Sequence, residues 1–160
     1  MYDITIQHAA SSTLYPNSKK LKQWTRAALK NKTPTAEVTL RIVDKHEITE
    51  LNSTYRKKNK PTNVLSFPFE MPEGLGDEIP AILGDIVICA DVVQEEAETQ
   101  HKTLDAHWAH MVVHGILHLL GYDHENDQDA EVMESEEIHI LKTLGFDDPY
   151  AIIDEGENNE

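Results

Sequence analysis

Cysteine and long apolar runs are what this sequence most clearly lacks. Its single cysteine, Cys89, excludes an internal disulfide, so we expect a reducing compartment, the cytoplasm. Cys89 stands in the apolar run 86–90, which favours a place in the core over a role as nucleophile. The richest apolar stretch, 81–93, is interrupted by Asp85, and no stretch approaches the roughly 18 apolar residues of a membrane span. The first ten residues lack the basic and apolar regions of a signal peptide, and we expect none.

Basic residues are nearly absent from the second part of the chain. Residues 1–60 hold twelve of the 14 Lys and Arg against five acids, a net charge of +7. Residues 61–160 hold two Lys against 24 acids, a net charge of −22. This division predicts a polyanionic partner for a face made by residues 1–60, although two ordinary solvated faces would give the same charges.

The pattern of apolar residues predicts the secondary structure. Alternation predicts four strands, at 2–8, 36–44, 63–69 and 82–89. Helical spacing predicts five helices, at 18–31, 46–58, 91–100, 104–120 and 127–144. In the second helix, the residues expected to point inward are Ile48, Leu51 and Tyr55.

The order of these elements predicts an α+β fold, in which about five helices surround a small mixed sheet of about four strands. The early β-α-β units favour parallel pairing, and the closely spaced third and fourth strands favour an antiparallel pair. The length of 160 residues fits one domain, which we expect to span residues 1–153. A loop at 72–80 precedes the last strand, and the acidic tail 154–160 is expected to fray.

Three histidines in the motif HGILHLLGYDH (114–124) form the strongest chemical signal. His114 and His118 are four residues apart on a predicted helix, which brings both imidazoles to one face. Gly121 can end that helix in the left-handed conformation, and the chain can then return His124 as a third ligand. Three neutral imidazoles leave one tetrahedral position open for water, as is typical of a catalytic zinc site, although nickel, copper or iron could bind too.

The residues around the ligands narrow the chemistry. Metzincin peptidases share the ligand spacing but carry Glu directly after the first histidine as general base. Gly115 stands there, which argues against peptide hydrolysis but not against hydrolysis in general. His107 and His110 lie within about 60° of the ligand face, and His110 is the better candidate to support a ligand. Asp85 interrupts an apolar strand and is a weaker candidate for that role, or for a turn cap.

The motif at 114–124 closely resembles the signature of the YbeY endoribonucleases, bacterial factors of ribosomal RNA maturation. Two further segments are similar to conserved blocks of that family, LNSTYRKKNKPTNVLSFPF (51–69) and LGDIVIC (83–89). Their order and spacing also fit, so the resemblance covers essentially the full chain. One departure is Asn63, where the family usually has Asp. A turn role survives this exchange but a carboxylate role does not, so Asn63 is given no catalytic role.

The resemblance implies a mixed sheet with helices around it and zinc-dependent endonucleolytic cleavage of single-stranded RNA. It implies maturation of small-subunit ribosomal RNA, notably the 3′ end, and a part in ribosome quality control. The implied partners are therefore ribosomal RNA, the small subunit and its assembly factors. By this resemblance, His114, His118 and His124 would bind one Zn2+ ion, and Arg56 corresponds to the family's cleft arginine. We expect Arg56 and His114 to be catalytic.

Arg56 opens a run of four cations in five positions, ending at Lys60. A guanidinium can hold two phosphate oxygens at once, so Arg56 is the candidate clamp on the scissile phosphate. The lysines would contact the RNA backbone non-specifically or simply end a helix. Two alternatives stay open, a metal-dependent hydrolase of another substrate and a non-catalytic ribosome-assembly factor. In the latter a fourth ligand, Asp123 or a Glu from 125–137, would close the zinc site.

Overall fold

A computed structural model of the chain describes residues 2–11, 14–70 and 82–151. The predicted loop at 72–80 and the acidic tail at 154–160 lie outside the described residues. Within the described ranges the fold is α+β, with four strands and five helices in the predicted order. The strands are β1 (Tyr2–His8), β2 (Ala36–Val43), β3 (Val64–Pro68) and β4 (Ile82–Cys89). The helices are α1 (Ser18–Leu29), α2 (Lys45–Arg56), α3 (Ala90–Thr99), α4 (Leu104–Leu119) and α5 (Asp127–Thr143).

The four strands form one mixed sheet in the order β1-β2-β4-β3. β1 pairs with β2 and β2 with β4 in parallel, whereas β3 runs antiparallel to β4. This confirms the pairing expected from the β-α-β units and from the short separation of the last two strands. The antiparallel pair lies at one edge, so β3 has one free edge within the described part of the chain.

Alternate residues of β4 face two different packing layers. Ile86 and Ile88 join the large core, in which α1 and α4 cover one face of the sheet and α5 packs on α4. Val87 and Cys89 join a smaller cluster with Ile48 of α2 on the opposite face. Cys89 is fully buried, which confirms its predicted place in the core, and burial raises the pKa of its thiol. The helices α1 and α2 therefore lie on opposite sides of the sheet.

This arrangement corrects the expectation that residues 1–60 form one basic face. Four cations of that segment are ion-paired, three of them with acids of the second part of the chain. The pairs are Lys20 with Asp105, Lys32 with Glu136, Arg41 with Glu47 and Lys45 with Glu95. The other eight have no side-chain partner among the described residues and fall into two groups on different elements. One group is Lys19, Lys22 and Arg26 on α1 with its C-cap Lys30, and the other is Arg56 at the end of α2 with Lys57, Lys58 and Lys60 directly after it.

Among the described residues, no helix combines the length and apolarity needed to cross a bilayer.

Candidate metal centre

The C-terminus of α4 determines how the three histidines meet. Gly121 follows the helix at φ +103°, a left-handed conformation that costs glycine little. Its N–H donates to the carbonyl of His118, and the N–H of Tyr122 donates to that of Leu117, both at 3.0 Å. These two bonds form a Schellman motif, which reverses the chain and returns His124 to the helix end. The predicted role of Gly121 is thereby confirmed.

The three imidazoles of the motif form a compact triplet. The ring centroids of His114 and His118 are 4.6 Å apart, and those of His118 and His124 are 4.9 Å apart. One nitrogen from each ring lies within 4.8 Å of the corresponding nitrogens of the other two. Nitrogens bound to one tetrahedral zinc would be roughly 3.4 Å apart, so small side-chain rotations suffice to close the triplet around an ion. His114 and His118 are half-buried and His124 is exposed, which leaves one side of the triplet open to solvent.

Glu137 of α5 holds the ring of His114 in place. Its side chain is fully buried, and its Oε2 accepts a hydrogen bond from Nδ1 of His114 at 2.6 Å. Its Oε1 accepts from Nε2 of His110 at 3.0 Å and from the hydroxyl of Tyr150. With Nδ1 of His114 engaged, Nε2 is the nitrogen that remains for a metal. His110 therefore supports a ligand as predicted, but through Glu137.

The protonation states suit metal ligation. Burial alone would raise the pKa of Glu137, but the hydrogen bonds from His110 and His114 outweigh it and lower the pKa to about 2. Burial, with the charges of His114 and His124, lowers the pKa of His118 to about 4. At pH 7 the carboxylate is therefore charged and the His118 ring neutral, as a metal requires. Burial and the bond to Glu137 raise the pKa of Tyr150, which keeps its hydroxyl a donor.

The triplet forms part of the wall of a cleft of about 590 Å³. Two other elements contribute to the same cleft, the end of α2 with Tyr55 and Arg56 and the whole of β3. The Arg56 side chain is exposed and has no hydrogen-bond or ion-pair partner among the described residues. A free guanidinium in the same cleft as a potential metal centre is suited to bind an oxyanion. The structure thus brings Arg56 and the three histidines, 58 or more residues apart in sequence, into one cleft.

Two sequence-based expectations about neighbouring residues need correction. Asp85 is exposed and lines cavities on other parts of β4, not the histidine cleft. It alternates with Ile86, which faces α4, so its side chain lies on the opposite face of the sheet from the ligands. Tyr55, expected to point inward, is 64% exposed. Its helix ends at Arg56, so no further turn of α2 covers it.

Gly115 faces the sheet, not the ligands. A Cβ added there would lie 2.9 Å from Cγ2 of the buried Ile86. The peptidase general base therefore has no room at this position, because a glutamate would displace the core and bury a charge. The absence of Glu after His114 thus has a packing cause in this fold.

Asn63, which also lines the cleft, shares a polar network with His107. Nδ2 of Asn63 donates to Oε1 of Glu96 at 3.1 Å, and Nε2 of His107 donates to the same oxygen at 2.8 Å. Oδ1 of Asn63 accepts from the N–H of Val64 at 2.7 Å, which caps the start of β3. The amide thus serves as a structural link and cap, in accord with giving Asn63 no catalytic role. His107 supports Glu96, not a ligand histidine.

No fourth side-chain ligand closes the triplet within the described part of the chain. Asp123 and Glu125 line the cleft, yet neither joins the group of ligand atoms within 4.8 Å of one another. Asp123 instead accepts from the backbone N–H of His124 at 2.6 Å. Glu137 forms a second potential metal-binding group with His110 and His114, on the buried side of the first. The sequence had suggested Glu137 only within a range of possible ligands, and no local signal pointed to Tyr150.

Comparisons with known proteins extend over nearly the whole fold. The family model Endoribonuclease YbeY matches residues 5–145. A protein named Endoribonuclease YbeY from Methylococcus capsulatus is 55% identical over 153 residues, covering 96% of this chain and 98% of that protein. The solution structure of TM1509 from Thermotoga maritima superposes with a TM-score of 0.60 at 28% identity, covering 88% of this chain and 89% of that one. The similarity therefore includes the elements that build the cleft as well as the histidine motif.

Proposed function

Since the chain belongs to the YbeY endoribonuclease family, we propose that it is a zinc-dependent endoribonuclease that cleaves single-stranded RNA. The proposed role is maturation of small-subunit ribosomal RNA, notably its 3′ end, and ribosome quality control in the cytoplasm. The proposed partners are ribosomal RNA, the small subunit and its assembly factors. One observation carries the proposal, the histidine triplet open to a cleft that also holds Arg56, whose side chain has no partner among the described residues.

His114, His118 and His124 would hold one zinc ion. What zinc supplies in such a site is Lewis-acid polarisation of a phosphate and a water that ionises near neutral pH. Glu137 keeps the His114 ring oriented and leaves its Nε2 free for the ion. Because Gly115 faces the sheet, the mechanism does not include a base at that position.

Arg56 would bind the scissile phosphate. Negative charge builds on the non-bridging oxygens during phosphodiester hydrolysis, and a planar guanidinium can donate to two of them. Arg56 lines the cleft, whereas Lys57, Lys58 and Lys60 do not. We therefore assign the clamp to Arg56 and backbone contacts to the lysines.

Two other functions compete with this one. A non-catalytic assembly factor with a structural zinc would need a fourth ligand, which the described residues do not add to the triplet. A metal-dependent hydrolase of another substrate fits the triplet equally well, but the cations at the end of α2 favour a polyanionic substrate.

Cleavage of a labelled single-stranded RNA by the purified chain tests the nuclease function directly. We expect cleavage that a chelator abolishes, that added zinc restores, and that His118→Ala lacks under all conditions. Equal cleavage by wild type and His118→Ala would identify a contaminating nuclease. If neither cleaves free RNA but both bind the small subunit, the assembly-factor function would replace the one proposed.

The clamp role predicts that Arg56→Ala lowers the rate constant of cleavage by about 10²- to 10³-fold. Zinc content should stay unchanged, because Arg56 is not a ligand. The matched control is Lys58→Ala, which removes a neighbouring cation outside the cleft lining and should cost much less. Full activity in an Arg56→Ala protein with bound zinc would contradict the assignment.

A further inference from the structure

The side chain of Tyr55 is unusually exposed for its size. It stands in the last turn of α2, and 64% of its surface is accessible. Its hydroxyl has no hydrogen-bond partner among the described residues. A large aromatic ring left open to water gains nothing from burial, which marks the position as one where a ligand could cover it.

Phe67 of β3 contacts the Tyr55 ring and supports it. The two ring centroids are 5.2 Å apart at an interplanar angle of 68°, an edge-to-face contact. Phe67 itself packs against the small core cluster that contains Val87 and Leu65. Tyr55 is thereby held against an anchored neighbour, while most of its own ring surface stays open.

Both aromatic rings line the cleft that contains Arg56 and the histidine triplet. Arg56 directly follows Tyr55 at the end of α2, and both side chains line the cleft, so one short segment presents a guanidinium and an aromatic ring to it. A nucleotide presents the matching pair of groups, an anionic phosphate and a flat base. A protein partner would have to place an anion and a planar or apolar group at the same spacing. The histidine side of the cleft gives no reason to expect such a partner.

We propose that Tyr55, supported by Phe67, is a stacking platform for an unpaired nucleobase next to the phosphate bound at Arg56. This inference rests on the proposed function, because it names the subsite through which the same cleft would hold its RNA. A base inside a duplex is stacked on both faces and cannot lie on a protein ring without leaving the helix. The platform therefore supplies a physical reason for acting on single strands.

Fluorescence of 2-aminopurine tests the stacking separately from cleavage. A short single-stranded RNA carries this base at one position at a time and is mixed with the zinc-loaded chain in a stopped-flow instrument. Stacking quenches the emission, and we expect wild type to quench it at one or two positions before the RNA is cut. Tyr55→Ala and Tyr55→Leu should lose the quench and weaken RNA binding by about 5- to 150-fold. Tyr55→Phe and Tyr55→Trp should retain both.

Phe69→Ala is the matched control, since Phe69 is another exposed aromatic that lines a different cavity. It should retain the quench. The thermal midpoints of the Tyr55 variants should stay close to that of wild type, because Tyr55 is mostly exposed and its substitution removes little more than the ring contact with Phe67. The proposal is overturned if wild type shows no quench at any position, or if Tyr55→Leu quenches as strongly as Tyr55→Phe. Zinc-dependent cleavage, recorded in parallel, tests the proposed function independently. If no cleavage is seen but the quench is present and depends on Tyr55, the proposed function fails and the stacking platform stands.

Discussion

A single buried carboxylate, Glu137, organises the ligand side of the site at the scale of residues. It accepts hydrogen bonds from His110, His114 and Tyr150, so both of its oxygens are satisfied without solvent. A buried charge is tolerated only when it is paired in this way. The hydrogen bond to Nδ1 also determines which nitrogen of His114 faces the other two histidines.

Replacing this carboxylate should weaken metal binding without removing a ligand. We predict that Glu137→Gln lowers zinc affinity by about 10- to 100-fold, because His114 loses the charged acceptor that orients its ring and raises its basicity. Competition with a chromophoric chelator measures the change. Glu131→Gln, on the exposed side of the same helix, should leave the affinity as it is. Wild-type affinity in Glu137→Gln would mean that the contact is not used to position the ligand.

At the scale of elements, α1 and its C-cap carry a row of cations that have no side-chain partner among the described residues. Lys19, Lys22 and Arg26 recur at intervals of three and four residues and so occupy one face of α1, and the C-cap Lys30 follows them at the same interval. The opposite face of α1, with Leu21 and Trp24, is buried in the large core. The helix contains no acidic residue, which is unusual in a chain whose net charge is −15. If the protein binds RNA, this row is suited to contact its phosphates outside the cleft.

Neutralising part of this row should reduce the salt dependence of RNA binding. We predict that the double variant Lys22→Gln and Arg26→Gln lowers the slope of log affinity against log salt by about 1 to 2, since each lost phosphate contact removes about one unit. The rate constant of cleavage should not change, because α1 does not line the cleft. Lys20→Gln, whose charge is already paired with Asp105, should alter the slope less. An unchanged slope in the double variant would identify the row as an ordinary solvated face.

At the scale of the whole molecule, Glu96 joins three elements beside the cleft. From α3 it accepts hydrogen bonds from Asn63, at the start of β3, and from His107 of α4. Burial alone would raise the pKa of Glu96, but the hydrogen bonds from His107 and Asn63 lower it below its ordinary value of 4.5. The charged carboxylate therefore stabilises the packing of α3 and β3 on α4, the helix that carries two of the three histidines.

This link predicts a pH-dependent loss of stability in Glu96→Gln. Because the folded-state pKa is lowered, the carboxylate stabilises the fold above pH 4.5, and this contribution is lost as pH falls through the lowered pKa. The variant should thus lose about 1–2 kcal/mol of unfolding free energy at pH 7, and the difference should shrink toward zero under acid conditions. Urea unfolding across this pH range measures it. A matched Glu95→Gln, at an exposed ion pair, should show little difference at any pH.

Much of the architecture was predictable because it depends on local spacing. Every predicted strand and helix lies within two residues of the observed one, since apolar periodicity and a helix-ending glycine such as Gly121 act over a few residues. The histidine triplet was predictable for the same reason, because its members span only eleven residues and one helix end. The four-residue spacing and a glycine turn suffice to bring them together.

What the sequence alone did not determine depends on contacts between distant residues. Glu137 reaches His114 from 23 positions away, and Tyr150 reaches Glu137 only because the chain after α5 folds back over α4. The packing of elements likewise decided three other features. These are the side of the sheet on which Asp85 lies, the exposure of Tyr55 and the division of the basic residues between α1 and α2. Periodicity predicts which face of an element is apolar. It does not predict which other element packs on that face or how far along the face that element extends. The sequence therefore determined the elements and the potential metal ligands, whereas the tertiary structure decided what surrounds them.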